Sequence, residues 1–319
     1  MMDGYEGNEY EKMEVVLMST DVNPLATLSE AMAEAVSTAG ASTVMVDARH
    51  RLLASGIGYG ADLVLTADHV VERDEDISIL LPDGSEHPVT VAGRDPGSDL
   101  ILLRVSKPVL TQAQPAPGEA RVGQLTLALG RPTPDGIQAS LGIVSAVGGP
   151  VRTGRGGLLE RYLRTDATPY PGFSGGPLVD VAGRILGLNT SGLTRGASLA
   201  IPVSLAWQVA DALLKHGSVR RGYLGVRSQP VMIPPAQQKA LNRQQESGLL
   251  LVNVEAGTPA EAGGMLVGDI IVAIAGSPVT YPDDLLARLA GELIGRSTPV
   301  EVLRGGQPVT LNITIGERP

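Results

Sequence analysis

The chain has 319 residues, enough for about two domains at roughly 150 residues each. Apolar residues make up 43% and charged residues 18%, and no apolar run approaches the roughly 18 residues of a membrane helix, so a globular, soluble protein is expected. The 25 basic and 34 acidic residues leave a net charge of −9, which argues against a nucleic-acid groove or a polybasic membrane patch, and the absence of Cys excludes disulfides, thiolate metal sites and cysteine nucleophiles.

Met1 to Asn23 is acidic and polar, and its one apolar cluster, Val15 to Met18, is shorter than a signal-peptide core. A mobile tail over 1–24 and, for the chain as written, a cytoplasmic location are the expectations. Thr27-Leu28-Ser29-Glu30 has capping-box spacing and Leu28, Met32, Ala35 and Val36 share a helical face, which predicts a helix ending near Gly40.

From Ser42 to about Ile201 the pattern is short apolar runs broken by Gly, Pro and Asp: Thr43 to Val46, Leu63 to Thr66, Ile77 to Leu81, Val89 to Ala92, Leu100 to Val105, Leu125 to Leu129, Leu141 to Val147 and Ile185 to Leu188. With 40 Gly and 23 Pro to turn the chain, these read as strands of a barrel or sandwich. The glycine run Gly56 to Gly60 reads as a turn, because the strand-like Ala61 to Thr66 follows it where a phosphate loop needs a helix. Ser204 is expected to cap a helix with Leu205, Val209, Ala212 and Leu213 on one face and Gly217 as its stop. The division is then a domain over 25–215, a linker over 216–221 and a second domain over 222–319. The second closes on a hairpin, Val300 to Ile315, turning at Gly305-Gly306.

Of the four histidines, His50, His87 and His216 sit in surface or helix-terminal contexts, while His69 follows the apolar strand Leu63 to Thr66. Gly172-Phe173-Ser174-Gly175-Gly176-Pro177 places a serine among glycines, which let a backbone bend until its N–H groups converge on an oxyanion. A His first and a Ser last along an all-β chain call for an Asp between them to orient the imidazole. Asp74, Asp76, Asp83, Asp95, Asp99, Asp135 and Asp166 are candidates. Asp99 is favoured because the apolar strand Leu100 to Leu103 follows it directly and draws its carboxylate inward. There is no His-Glu-x-x-His pattern, and no metal or cofactor is expected.

Thr66-Ala67-Asp68-His69-Val70-Val71, Asp95-Pro96-Gly97-Ser98-Asp99-Leu100-Ile101, Thr165-Asp166-Ala167 with the serine run, Gly187-Leu188-Asn189-Thr190 and Ala200-Ile201-Pro202 together resemble the trypsin-like protease domain of the HtrA (Deg) family. Gly222-Tyr223-Leu224-Gly225-Val226, Gly257 to Met265 and Gly268 to Gly276 resemble the PDZ domain of the same family. The resemblance implies a mostly β protein, a chymotrypsin-like double β-barrel followed by a small α+β PDZ domain. It implies Ser174 as nucleophile, His69 as general base and acid, Asp99 as its orienter, and the N–H groups of Gly172 and Ser174 as oxyanion hole. In the PDZ domain it implies a peptide C-terminus held at Tyr223, Leu224, Gly225 and Val226, with Leu285, Leu286 and Leu289 as groove-helix candidates and Arg220 and Arg221 in the linker.

The implied activity is ATP-independent cleavage of unfolded or exposed polypeptide in protein quality control, in a possible homotrimer whose available N-terminal aromatics are Tyr5 and Tyr10. The resemblance also admits an extracytoplasmic place, since many members of the family act outside the cytoplasm. The primary pocket is expected near Thr168, Pro169, Thr190 to Gly192 and Ser198, without charge. Phe173 departs from the family's usual Asn or Asp. Either its ring packs and supports the oxyanion loop, or it favours a flipped peptide, which would leave a weakly active or inactive chaperone or scaffold.

Overall fold

A computed structural model of the chain describes residues 23–153, 157–193, 199–289 and 293–317. The expected tail lies outside these except for its last two residues, which begin helix α1 (Pro24–Gly40). The helix starts earlier than the Thr27 spacing suggests. Asn23 is its cap, accepting from the N–H groups of Leu25 (3.1 Å) and Ala26 (3.4 Å), and Pro24 stands at the first helical turn, where its missing donor is no loss. Thr27 turns its hydroxyl back to the Asn23 carbonyl instead.

The first barrel is built from β1 (Thr43–Asp47), β2 (Ala54–Gly60), β3 (Leu63–Ala67), β4 (Ile77–Leu80), β5 (Glu86–Asp95) and β6 (Leu100–Val105), closed in the order β1-β2-β3-β6-β5-β4. The Gly56–Gly60 run, expected as a turn, is the interior of β2. A methyl at Gly58 would lie 2.2 Å from the Thr111 carbonyl, so glycine here serves close approach inside a tight barrel rather than chain reversal.

The second barrel contains β7 (Leu125–Thr133), β8 (Gly136–Gly148), β11 (Tyr162–Thr165), β12 (Pro177–Val179), β13 (Ile185–Thr190) and β14 (Leu199–Pro202), in the order β11-β14-β13-β12-β7-β8. A small hairpin, β9 (Val151–Arg152) with β10 (Leu158–Leu159), projects between β8 and β11. Neighbours along β7 face opposite ways. Leu127 and Leu129 join the core shared with the first barrel, whereas Ala128 joins Val144, Leu163, Leu178 and Leu186 in a separate cluster. Arg131, buried with its guanidinium on the carbonyls of Thr43 and Gly40, ties β7 to the first barrel and to the end of α1.

Helix α2 (Val203–His216) begins one residue before the expected Ser204 cap, with Pro202 at the N-cap position, and ends on Gly217 in the left-handed conformation. It crosses back to the first barrel. The Tyr59 ring meets Trp207 edge-on at 5.4 Å and its hydroxyl donates to Asp211 at 2.6 Å. Burial and that carboxylate push the phenol up to about 12, so it remains a donor throughout the neutral range.

The C-terminal module comprises β15 (Gly222–Tyr223), β16 (Val226–Met232), α3 (Pro235–Ala240), β17 (Ser247–Val254), α4 (Pro259–Ala262), β18 (Ile270–Ile274), β19 (Ser277–Pro278), α5 (Pro282–Arg288), β20 (Ser297–Arg304), β21 (Gln307–Thr314) and β22 (Gly316–Glu317). Its main sheet runs β16-β17-β18-β20-β21, which leaves β16 as an edge strand, and β15 pairs with β22. The expected hairpin is β20–β21, with Arg304 opposite Gln307 across the Gly305-Gly306 turn. No helix among the described residues is long and apolar enough to cross a membrane.

Candidate active site

His69 lies in a single helical turn after β3, and Asp99 immediately before β6, which pairs with β3. The pairing brings the two together. Asp99 Oδ2 is 2.8 Å from His69 Nδ1, and Oδ1 accepts the His69 main-chain N–H at 2.9 Å, so one carboxylate fixes both ring and backbone. Asp99 is 2% exposed and has a left-handed φ of 59°, uncommon for a residue with a side chain. Thr190, at the end of β13, adds a hydroxyl that donates to Asp99 Oδ2.

The other candidate acids go elsewhere. Asp95 pairs with Arg221, Asp74 with Arg94, Asp83 accepts from Ser85, and Asp166 accepts the Ile143 N–H. Asp76 and Asp135 make no bond to His69. Of the other histidines, His50 is exposed, His87 meets Ser85 and His216 ends α2.

Ser174 lies across the cleft, in the segment leading to β12. The segment is clamped on both sides: Gly175 N–H donates to the Asn189 carbonyl, Asn189 N–H to the Gly176 carbonyl, and Ser55 N–H to the Ser174 carbonyl. Ser55, a buried residue of β2 that the sequence did not single out, also donates its hydroxyl to the Gly172 carbonyl (2.7 Å) and accepts the Arg131 N–H (2.8 Å). With the carbonyls of Gly172, Phe173 and Ser174 all engaged, the N–H groups of Gly172 and Ser174 make no hydrogen bond among the described residues. They are free to serve an incoming anion.

Phe173 is fully buried among Ala128, Val144, Leu163 and Leu178. Its ring stands edge-on to Tyr170 at 5.4 Å and fills the space over Gly130, where a methyl would be 2.5 Å from Cδ1. Of the two outcomes open for this residue, the structure displays the packed one. Truncating Ser55 to Ala strands a carbonyl and an N–H in a buried place. We expect kcat to fall roughly tenfold with KM changed less than twofold, measured on one peptide substrate.

A second hydroxyl, from a residue that sequence reading placed only in the primary pocket, stands between nucleophile and base. Ser191 Oγ is 3.1 Å from Ser174 Oγ and 3.3 Å from His69 Nε2, and Ser174 makes no direct hydrogen bond to His69. A cleft of about 300 Å³ beside Ser174 is lined by Arg49, Leu52, Pro169 to Gly172, Asn189, Thr190 and Ser191. The pocket expected to be uncharged therefore carries Arg49, whose guanidinium donates to the carbonyls of Leu52 and Leu53. Burial lowers that guanidinium from its ordinary value. Thr168 offers its carbonyl to Ser140, and Ser198 lies outside the described residues.

In the C-terminal module, the carbonyls of Leu224 and Gly225 are bound by Ala260 and Glu255, while the N–H groups of these two residues have no partner among the described residues. Tyr223 donates its hydroxyl to Glu255 and Val226 begins the edge strand β16. Leu285 and Leu289 belong to the module's core, and Leu286 faces the cavity between the domains. Arg220 and Arg221, read as solvated linker or carboxylate attractants, are ion-paired to Glu317 and Asp95. No group of three or more His, Asp or Glu among the described residues is placed to hold a metal.

Two closed six-stranded barrels with His, Asp and Ser gathered across their junction, followed by a six-stranded sheet with β16 at its edge, define a trypsin-like peptidase fold joined to a PDZ domain. Residues 54–188 match the trypsin-like peptidase domain family and residues 222–315 the PDZ domain family. The chain belongs to the HtrA family of serine proteases. It is similar to the probable periplasmic serine endoprotease DegP-like of Rhizobium meliloti (36% identical, 85% of this chain, 54% of the relative) and to that of Ectopseudomonas mendocina (36%, 84% and 57%). Among solved structures it is similar to the HtrA-type protease AlgW with decapeptide (TM-score 0.76, 30% identical, 90% of this chain, 99% of that chain) and to a serine endoprotease from Yersinia pestis (0.75, 29%, 90% and 98%). The chain spans about half the length of the curated relatives it matches.

Proposed function

We propose that this chain is a serine endopeptidase that cleaves unfolded or exposed polypeptide without ATP, using His69, Asp99 and Ser174, with Gly172 and Ser174 as oxyanion donors. The observation that carries the reading is the carboxylate-bound imidazole facing a serine flanked by two unbonded amides. A substrate strand entering beside Thr190 to Gly192 displaces the Ser191 hydroxyl, and Ser174 then donates to His69 Nε2. As the serine oxygen bonds to the scissile carbonyl carbon, its proton passes to Nε2 and the carbonyl oxygen takes the negative charge toward the two N–H groups. The imidazolium returns that proton to the leaving amine, an acyl-enzyme remains, and water activated by the same base releases it.

Support for a peptide C-terminus at Tyr223 to Val226 comes from the free N–H groups of Leu224 and Gly225 and from the open edge of β16, the arrangement needed to add a strand and hold its terminal carboxylate. The domain division read from sequence, 25–215 and 222–319 with 216–221 between them, is part of the proposal, as is a homotrimer. Tyr5 and Tyr10 lie outside the described residues. The periplasmic names of the curated relatives favour an extracytoplasmic place over a cytoplasmic one. The buried Phe173 ring favours the endopeptidase reading over the scaffold alternative, which rests on an ill-formed oxyanion loop.

A fluorophosphonate probe tests the chemistry: labelling at Ser174 is expected, and an unlabelled folded protein would sink the reading. Cleavage of a peptide library tests specificity. Among the described residues the cleft beside Ser174 holds no carboxylate and does hold Arg49, so cuts after small to medium apolar residues are expected and cuts after Lys or Arg should be at least tenfold rarer. A map dominated by basic residues before the cut would refute this assignment of the pocket.

A further inference from the structure

Asp99 is held in an unusual backbone conformation, and its immediate loop does not hold it alone. Asp95, at the end of β5, is 2% exposed and turns its carboxylate along the loop, accepting the N–H groups of Gly97 (3.3 Å) and Ser98 (3.1 Å). The same two oxygens receive both terminal nitrogens of Arg221, Nη2 to Oδ2 at 2.7 Å and Nη1 to Oδ1. Arg221 lies beyond α2, one residue before β15 and the loop that opens the PDZ domain. Its guanidinium rests flat against Gly97, where a methyl group would lie 2.6 Å from Nη2 and 2.8 Å from Cζ.

A buried carboxylate that caps a turn is stable only while its charge is matched, and the match here comes from outside the two barrels. The fork of Arg221 satisfies Asp95 bidentately, a geometry that fixes direction as well as charge. With Asp95 fixed, the turn Pro96-Gly97-Ser98 is fixed, and Asp99 N–H finds the Pro96 carbonyl at 3.3 Å. Asp99 then meets the ring and the main chain of His69 together. Thr153, donating to the Gly97 carbonyl at 2.9 Å, holds the loop from the other side.

We propose that Arg221 is a positioning residue for the catalytic triad, acting through Asp95 on the placement of Asp99, so that the linker to the PDZ domain completes the protease site. The inference rests on the peptidase reading above and adds to it a residue that touches neither substrate nor nucleophile. An imidazole whose orienting carboxylate has shifted still lies near the serine but presents Nε2 at the wrong angle, which slows proton transfer without altering substrate contacts. A misplacement on the order of 1 Å can lower a rate by about 100-fold.

The test uses the full chain with Arg221→Gln, Arg221→Lys and Gly97→Ala, the last forcing the guanidinium off Asp95 while both charges remain. For Arg221→Gln we expect kcat on a peptide substrate to fall about 10- to 100-fold with KM within twofold, and Ser174 labelling by fluorophosphonate to slow in parallel. Arg221→Lys should recover part of the loss, and Gly97→Ala should reproduce it. Binding of a decapeptide with a free C-terminal carboxylate, followed by fluorescence anisotropy, should be unchanged in all three, which separates this effect from collapse of the PDZ domain. If Arg221→Gln fails to fold, Gly97→Ala alone decides. A folded Arg221→Gln or Gly97→Ala protein with kcat within twofold of the unsubstituted chain overturns the proposal. Absence of both labelling and cleavage in the unsubstituted chain overturns the peptidase reading itself, and this inference with it.

Discussion

Ser174→Ala should lower kcat on unfolded casein by about 10⁴- to 10⁶-fold while leaving folding intact. The hydroxyl it removes is half-buried and meets only Ser191, so no buried partner is stranded. The segment around it keeps its clamps, because Ser55 and Asn189 bond the main chain and not the side chain. The variant should melt within about 2 °C of the unsubstituted chain, since losing a half-buried hydroxyl that strands no buried partner is worth only about a few tenths of a kcal/mol. Residual turnover comes from the two amides and from binding. Casein hydrolysis within tenfold of the unsubstituted rate would mean that another residue is the nucleophile.

Phe173→Asn has the opposite signature, a large effect on stability. The ring fills the second barrel's cluster with zero exposure and stands over Gly130, so removing it opens a cavity and leaves a buried amide to be satisfied. Loss of a fully buried aromatic costs about 3 to 5 kcal/mol, and at 2 to 4 °C per kcal/mol for a domain of this size Tm should fall by about 6 to 20 °C. Because the ring lies directly under the peptide between Gly172 and Ser174, kcat should fall with it. A thermal melt and a kcat measurement on the same preparation check both parts. An unchanged Tm with a higher kcat would show that the ring hinders the oxyanion loop instead of supporting it.

The two effects differ because the side chains point in opposite directions from adjacent positions. Ser174 faces the cleft and Phe173 faces the core, an arrangement created by the turn in which Gly176 N–H returns to the Phe173 carbonyl. Chemistry and stability are thus divided between neighbours. A loop built in this way tolerates loss of its reactive group far better than loss of its support.

The amino-acid sequence by itself determined the fold class and a short set of candidate reactive groups. Strand periodicity and the Gly and Pro punctuation were enough for a β barrel or sandwich closed by a helix, and the motifs, through their resemblance to the HtrA family, implied two barrels, a PDZ domain and the candidates His69, Asp99 and Ser174, because each motif is carried by residues close together in the chain. Helix starts were read less well. At Asn23 and Pro202 the cap was decided by which residue could leave the helical conformation, and spacing alone pointed to Thr27 and Ser204. Gly56 to Gly60 looked like a turn because glycine signals reversal locally, whereas here it permits a neighbouring backbone to approach within a barrel closed by strands far away in sequence.

Only the tertiary structure decided which polar groups share a site. Ser55 reaches Gly172 across 117 positions, Thr190 reaches Asp99 across 91, Ser191 reaches His69 across 122, and Arg221 reaches Asp95 across 126. Hydrogen bonds and ion pairs of this kind leave no period or spacing in a single chain, since each depends on two remote segments being folded against one another. The burial that makes them strong is itself a product of that folding.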